Sequence, residues 1–543
     1  MRFSKLAQAY DRISGASGDA GKVPILSGLL KQSDPKTLQA VAHFTVGEVV
    51  DPRLTDDLGI GPGNIRNAIA RLSGKDPAEI EDEIKESGDM GEVAARYADG
   101  ADALTVGGLW DRINRAVERG EDRQSLLEFV FKNTGPGGAK YFSRMVLNQM
   151  RIGVGYGTMA RAIAGAFDVD ADSVQRVYAL SNDIGLAAAQ ARRGRRALAR
   201  AGLQLMRPYQ FMNAHKVDDP QEIFRMLKGK QVIFEVKYDG VRLQIHIKAG
   251  RPRDIRLFSR RLNDDTASMP DVVEALGAAW RGGDAIVEGE AVAYNASLKK
   301  KLPFQAVLMR RGRESDIESK AREIPLVLYL FDLLYDRGED LMSVPQKERR
   351  ERLKGLFDQT DRVRMTDSIE SDSIRDEEKF FKRAIRQGHE GLVAKDPDAF
   401  YEPGKRTELW MKLKPAFETL DVVVVGGIWG SGRRRGLLSS LIVAVPDKNE
   451  FKTVGKVGTG FSEETLRGLT ARLEPLIIAS RGRTVEIEPK VVLEVDFQGI
   501  QKTPRYSSGY ALRIPRFKRE RVDKGIREAD PLERLLRLYK QSH

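Results

Sequence analysis

QVIFEVKYDGVRLQIHIK, residues 231–248, carries β-branched and aromatic residues in a largely period-two arrangement on either side of Tyr-Asp-Gly. Alternation of this kind marks a β-strand, and a turn triplet between two such runs predicts a hairpin. On that reading Val241, Leu243, Ile245 and Ile247 share one face of the second strand and polar residues take the other. Glu235 lies two residues before Lys237, so both project from one face of the first strand. A lysine at a strand end, beside a tight turn, reaches a phosphorus atom held in a cleft. To attack it must lose its proton, and lysine pKa responds strongly to burial and to neighbouring charge. Lys237-Tyr-Asp-Gly240 alone is more often the pattern of a surface lysine before a turn, so its surroundings decide the reading.

Downstream, AIVEGEAVAY (285–294) and PLVLYLFDLLY (325–335) are further strand candidates, while PQKERRERLKGLF (345–357) and DEEKFFKRAIRQG (376–388) are helical. Residues 206–418 therefore read as a mixed α+β domain. Upstream, residues 1–205 read as all-helical, with segments such as LLEFVFKN (126–133) and TMARAIAGAF (158–167) parted by the glycine-rich turns GIGPGN (59–64) and RIGVGYGT (151–158). The first helix is amphipathic, with Phe3, Leu6, Ala7, Tyr10 and Ile13 on one face. The basic run RRGRRALAR (192–200) closes this region and Arg207-Pro208 breaks the helical pattern. Residues 419–543 open on DVVVVGGIWG and continue through SLIVAV, TVEIEP and VVLEVDF, short strands that suggest a small barrel. One helix lies near SEETLRGLTARLEPL, and PLERLLRLYKQSH forms a charged terminal helix.

Lys and Arg number 90 against 78 Asp and Glu, a net charge of +12 that favours a polyanionic partner. The absence of cysteine excludes disulfides, zinc–cysteine sites and thiol catalysis. No apolar run reaches the roughly 18 residues of a membrane span, and MRFSKLAQAYDRI lacks the apolar core of a secretory signal. The expectation is a soluble, intracellular protein without a membrane partner, cytoplasmic and nucleoid-associated if the source is prokaryotic.

Three carboxylates accompany the lysine. Glu288 and Glu290 alternate along one predicted strand, and Glu390 heads GHEGLVAK (388–395). Carboxylates suit Mg²⁺, which binds through one or two of them plus substrate phosphates. Trp410, Lys412 and Lys414 stand at i, i+2 and i+4 in LWMKLKP, so one strand face presents two ammonium groups. Arg513, Arg516, Lys518, Arg519, Arg521 and Lys524 crowd ALRIPRFKRERVDK (511–524).

In order and wording these segments resemble the nucleotidyltransferase motifs of ATP-dependent DNA ligases of the archaeal and eukaryotic type. The series runs EVKYDGVR (235–242), FSRR (258–261), VEGEAV (287–292), LFDLLY (330–335), EGLVAK (390–395), WMKLK (410–414) and LRIPRFKRERVDK (512–524). RIGVGYGT resembles part of the family's helical DNA-binding domain; GRRRGLLSSLIVAV (432–445) and VGKVGTGFS (454–462) resemble its terminal OB-fold domain. The resemblance implies three domains: a helical DNA-binding domain (1–205), an α+β adenylation domain (206–418) and a β-barrel OB-fold domain with a terminal helix (419–543).

It also implies roles. Lys237 is the AMP acceptor, Glu235 lies in the adenine pocket, Arg242 and Arg260 bind ribose or phosphate, and Phe331 stacks on adenine. Glu290 and Glu390 associate with Mg²⁺, Glu290 also belonging to the nucleotide site; Lys412 and Lys414 contact the α-phosphate, and Arg406 joins the nucleotide-binding set. Arg516, Arg519 and Lys524 orient the leaving pyrophosphate, with Asp523 in the same motif. The substrates implied are ATP and nicked duplex DNA; the enzyme is expected to be a monomer, and no sliding-clamp peptide stands out. Three details depart from the family pattern: Glu288 stands where Asp is common, Arg261 follows the expected Ser-Arg, and FMNA (211–214) replaces the commoner PMLA.

An RNA ligase or an mRNA-capping guanylyltransferase shares the KxDG lysine, but neither needs so large a helical region before it. A nicotinamide-dependent ligase usually carries a four-cysteine zinc finger, which this chain cannot build. A non-catalytic DNA-binding protein accounts for the charge and the helices, but not for Lys237, Glu290, Glu390, Lys412 and Lys414 together.

Overall fold

Phe3, Leu6, Ala7, Tyr10 and Ile13 are all buried along the helix Phe3–Gly15, as apolar residues three and four apart require. The computed structural model describes residues 1–52, 54, 58–250, 252–295, 297–298, 300–313, 315–415, 418–430 and 434–542. Among them, thirteen helices precede the first strand, the last ending at Ala199. The two glycine-rich turns supply helix starts, with Gly61 and Gly155 at the N-caps of Pro62–Ser73 and Tyr156–Phe167. No helix among the described residues is long and apolar enough to cross a membrane. The chain divides into two compact units, Met1–Lys414 and Pro415–His543.

Within the first unit a buried charge network ties the helices to the segment that enters the sheets. His43 stacks on Trp110 at 4.9 Å and lies 2.6 Å from Glu48 and 3.2 Å from Asp183. Asp183 also receives Arg207 Nη2 at 2.8 Å, and Arg207 Nε donates to the Ser181 carbonyl at 2.9 Å. The Arg207-Pro208 break is thus pinned at its arginine. Burial disfavours a charged His43 ring, but hydrogen bonds and charge from Asp183 and Glu48 outweigh it and raise the pKa to about 9. A histidine raised this way contributes stability that is complete below its unfolded pKa of about 6.5 and is lost as pH climbs through 9. We expect the stability advantage of wild type over His43→Gln to shrink by about 2–4 kcal/mol between pH 6 and pH 10. Denaturant unfolding across that range measures it; a pH-independent difference would count against the charged ring.

Among the described residues eleven strands follow in this unit: β1 (Asn213–Val217), β2 (Val232–Lys237), β3 (Val241–Lys248), β4 (Asp254–Ser259), β5 (Ala285–Ala293), β6 (Leu326–Asp336), β7 (Glu339–Asp340), β8 (Val363–Met365), β9 (Ser368–Ser371), β10 (Gly391–Lys395) and β11 (Arg406–Leu413). They form a five-stranded sheet, β1-β11-β10-β2-β9, and a six-stranded sheet, β4-β3-β5-β6-β7 with β8 also on β6. The expected hairpin does not form. β2 gives its two edges to β9 and β10, and β3 gives its two edges to β4 and β5, so no edge remains for them to share. Tyr238–Gly240 instead crosses from one sheet to the other. Period two and a turn triplet are common to both arrangements, which is why the sequence pattern could not separate them.

Val241, Leu243, Ile245 and Ile247 do face one core, against the helix Pro270–Ala279 and Trp280. The opposite face of β3 is not solvated as the alternation suggested. Gln244 and His246 are fully buried there, receiving Tyr209 N at 3.1 Å and Met206 N at 3.1 Å. A second core, including Phe234, Val236, Val292, Tyr329, Leu392 and Leu413, joins residues of the two sheets.

The second unit contains β12 (Glu418–Trp429), β13 (Leu438–Asp447), β14 (Glu450–Val457), β15 (Ile477–Arg481), β16 (Thr484–Ile487), β17 (Val492–Phe497), β18 (Gly499–Lys502), β19 (Tyr510–Arg513) and β20 (Arg516–Glu520). Seven of them form one sheet, β14-β13-β12-β16-β15 with β17 bridging β12 and β20, while β18 and β19 pair separately. Its core is aliphatic, including Leu420, Val422, Leu441, Val443, Leu493 and Leu535. Gly432 and Arg433 of the GRRRG stretch lie outside the described residues.

Candidate active site

Lys237 is the last residue of β2 and lies opposite Gly391 of β10. The Glu390 amide donates to the Lys237 carbonyl at 2.9 Å, which seats the Glu390 side chain beside the lysine. Lys237 Nζ is 2.6 Å from Glu390 Oε2, and Lys414 Nζ is 3.0 Å from the same oxygen. Burial works against the Lys237 ammonium, but Glu390, Glu290 and Asp239 outweigh it and hold its pKa above the ordinary range. The same two lysines, against the effect of burial, hold the Glu390 carboxyl at about 2.

Gly240 closes the crossover because nothing larger fits. A Cβ there would stand 2.3 Å from the Ala291 carbonyl oxygen and 3.0 Å from Glu290 Cγ. This close approach brings the crossover against β5, the strand that carries both remaining carboxylates. Glu288 and Glu290 are two residues apart on β5 but differ in surroundings. Glu288 is fully buried and receives Tyr209 Oη at 2.8 Å, Tyr401 Oη at 2.6 Å and Arg242 Nη2 at 2.6 Å. Glu290 is half-buried and makes no hydrogen bond or ion pair among the described residues. Burial pushes its carboxyl up to about 7 despite the nearby charges of Lys237 and Arg242.

Beyond this cluster stands an aromatic box. Phe331 and Trp410 meet edge to face at 6.4 Å, and Arg242 lies 5.5 Å from each ring and 4.6 Å from Phe211. Lys395, the last residue of β10, is buried 4.3 Å over Trp410 and 4.8 Å over Phe331. Its ammonium lies 2.7 Å from Glu235 Oε2, and Arg350 holds the other oxygen of that carboxylate. On β11, burial together with Arg406, Lys237, Lys414 and Arg260 lowers the Lys412 pKa to about 8. Arg260 Nη2 donates to Asn213 Oδ1 at 3.3 Å.

The first unit thus carries Glu235, Lys237, Arg242, Arg260, Glu290, Phe331, Glu390, Arg406, Lys412 and Lys414 on the strands of its two sheets and the segments that adjoin them. Sequence reasoning did not assign Lys395, Arg350, Tyr209 or Tyr401. Lys395 closes the quoted EGLVAK and could have been found there; the tyrosines and Arg350 left no signal in one sequence. Arg516, Arg519 and Lys524 belong to the second unit. Arg516 is exposed on β20, Arg519 Nε lies 2.6 Å from Glu494, and Lys524 Nζ lies 2.6 Å from Asp421. Asp421 also takes Arg521 at 2.8 Å, and Asp523 pairs with Arg521 at 2.8 Å.

Among the described residues no cluster of three metal-ligating side chains occurs. Those residues therefore build no protein cage for a cation. An open site completed by substrate phosphates fits better, because Glu290 is a carboxylate desolvated beside Lys237 and left without a partner.

The arrangement, a lysine seated among carboxylates and further lysines beside an aromatic box, is that of an enzyme equipped to handle a nucleotide phosphate. A solved structure titled Pmar-Lig_PreS3 shares the overall fold, with a TM-score of 0.59 at 17% identity over 95% of this chain and 99% of that one. Three family models match in order: DNA ligase N terminus over residues 2–164, ATP dependent DNA ligase domain over 211–414, and ATP dependent DNA ligase C terminal region over 434–524. The DNA ligase of Thermococcus onnurineus is 38% identical across 99% of this chain and 98% of its own length. That of Methanopyrus kandleri is 38% identical across 100% and 99%. The chain belongs to the ATP-dependent DNA ligases, and these relatives are archaeal enzymes.

Proposed function

We infer that Lys237 is the residue through which this ligase seals nicks in duplex DNA, by way of a lysine–AMP intermediate and then AMP-capped DNA. The observation that carries this reading is the shared carboxylate: Glu390 holds Lys237 at 2.6 Å and Lys414 at 3.0 Å beside the aromatic box. A 5′-phosphate has no good leaving group, and adenylation supplies one. The Lys237 amine forms a bond to the α-phosphorus of ATP as the bond to pyrophosphate breaks. AMP passes to the 5′-phosphate at the nick and frees the amine; the 3′-hydroxyl then attacks that phosphate and AMP departs.

Glu235 and Phe331 contact the adenine, Arg242 and Arg260 the ribose or phosphate, and Lys412, Lys414 and Arg406 offset charge growing on the phosphoryl oxygens. Glu290 and Glu390 would hold Mg²⁺, which when bound neutralises phosphate charge and weakens the hold of the carboxylates on the Lys237 proton. Arg516, Arg519 and Lys524 address the pyrophosphate. Their ion pairs with Glu494 and Asp421 leave Arg516 the most available of the three. Residues 1–205 act as the DNA-binding domain, 206–418 as the adenylation domain and 419–543 as an OB-fold. We read the working unit as a monomer. With DNA as substrate, its place of work is the nucleoid in a prokaryotic cytoplasm.

Incubation with α-labelled ATP and Mg²⁺ should place label on the protein, and adding nicked duplex should chase that label into DNA and then into free AMP. Absence of protein label under conditions that seal nicks would overturn the reading.

A further inference from the structure

PQKERRERLKGLF reads as a charged surface helix, yet two of its arginines are buried. Arg349 and Asp332 are both 0% exposed at their side chains and meet through two hydrogen bonds, at 2.8 and 3.0 Å. Arg350 and Glu235 are 4% and 3% exposed and form a close ion pair. Consecutive helical residues diverge by about 100°, so the helix Gln346–Lys354 reaches two strands at once. Arg349 fastens Asp332, the neighbour of Phe331 on β6, and Arg350 fastens Glu235 on β2. One helical turn thus holds two walls of the aromatic box, a ring and a carboxylate.

We propose that Arg350 is a positioning residue that fixes Glu235 against the nucleobase and so sets which purine the enzyme accepts. The inference rests on Glu235 lying in the nucleobase pocket, as proposed above. Besides Glu235, the Arg350 guanidinium donates to Thr366 Oγ1 at 3.1 Å, Thr366 O at 2.9 Å and Ser368 Oγ at 2.9 Å. Four bonds on one planar fork leave it a single orientation, and Lys395 holds the second Glu235 oxygen at 2.7 Å. A carboxylate buried without cations would take up a proton and become a donor. Arg350 and Lys395 each take one oxygen of Glu235, and each oxygen keeps a lone pair for a further donor. A fixed acceptor at the rim of an aromatic box selects a base edge that carries an amino group and rejects one without it. None of the Arg350 bonds goes to Lys237, Lys412 or Lys414, so its influence runs through Glu235.

The test compares wild type, Arg350→Lys and Arg350→Met in nucleotidylating Lys237, with release of pyrophosphate, from ATP and from purine riboside 5′-triphosphate, which lacks the 6-amino group. The ratio of kcat/KM for the two nucleotides is independent of how much of a variant is folded. Sealing of a pre-adenylated nick by the same preparations supplies a step that needs no base selection. We expect Arg350→Lys to raise KM for ATP about tenfold with kcat little changed. The preference for ATP should fall about tenfold, further in Arg350→Met, while pre-adenylated nicks are sealed within about twofold of wild type. A wild-type preference in both variants, or a loss in kcat at unchanged KM, would overturn the proposal. If wild type itself takes no label from ATP, the reading of Lys237 fails first and this inference with it.

Discussion

Lys237→Ala should lower transfer of label from ATP to the protein by at least about a thousandfold, yet leave sealing of a pre-adenylated nick within about tenfold of wild type. The two steps differ in what they ask of the residue. In the first its nitrogen becomes a ligand of phosphorus, and no neighbouring group can take that place without moving. In the last the nucleophile is a DNA hydroxyl, and the lysine contributes charge alone. Lys414 shares the Glu390 oxygen and keeps positive charge at the site when Lys237 is gone.

The pKa directions sharpen the expectation. Lys237 is held protonated by Glu390, Glu290 and Asp239 against the pull of burial. Lys412, lowered to about 8 by burial and neighbouring cations, stands closer to losing its proton than Lys237 does. Residual labelling in Lys237→Ala, if any, should therefore map to Lys412 and vanish in the double variant with Lys412→Ala. Labelling of Lys237→Ala at the wild-type rate, on whatever residue, would remove Lys237 from the mechanism.

The sequence named the residues that converge at the candidate site more readily than the topology that brings them together. Lys237, Glu390 and Lys414 are three separate quotations from the chain, and they converge because β2, β10 and β11 are neighbours in one sheet. No periodicity states that adjacency. Only the order of the motifs, matched against a family, made the three belong together. The crossover at Tyr238–Gly240 was invisible for a simpler reason: local pattern records that a strand ends and another begins, not which sheet receives it. The requirement for Gly240 comes from the Ala291 carbonyl, which lies some fifty residues away. Helices were more legible, because an apolar stripe is a local property; Phe3 to Ile13 is buried along one face as its spacing indicated. The burial of Arg349 and Arg350 ran against composition, since a charged helix exposes its arginines unless partners such as Asp332 and Glu235 wait in the core.

Glu288 and Glu290 turn that distinction into an expected result, because one strand presents them two residues apart with opposite uses. Glu288→Ala should cost about 3–5 kcal/mol, lowering the unfolding temperature by roughly 5 °C. It strands the Arg242 guanidinium in a buried pocket and removes the acceptor of Tyr209 and Tyr401. Glu288→Asp should fall between, since a side chain one methylene shorter cannot reach all three donors. Two tyrosines and an arginine meet the carboxylate at the reach of the longer side chain. Glu290→Gln should behave in the opposite manner. A carboxyl raised to about 7 loses folded-state stability as pH rises past its ordinary 4.5, so at pH 8 the amide relieves a desolvated charge. We expect Glu290→Gln to unfold at or slightly above the wild-type temperature, by on the order of 1 kcal/mol, while self-adenylation drops at least about a hundredfold. Thermal unfolding and ATP labelling of the same three variants measure both quantities. Equal destabilisation by Glu288→Ala and Glu290→Gln would mean that Glu290 is a packing residue and that the desolvated carboxylate beside Lys237 has no part in the chemistry.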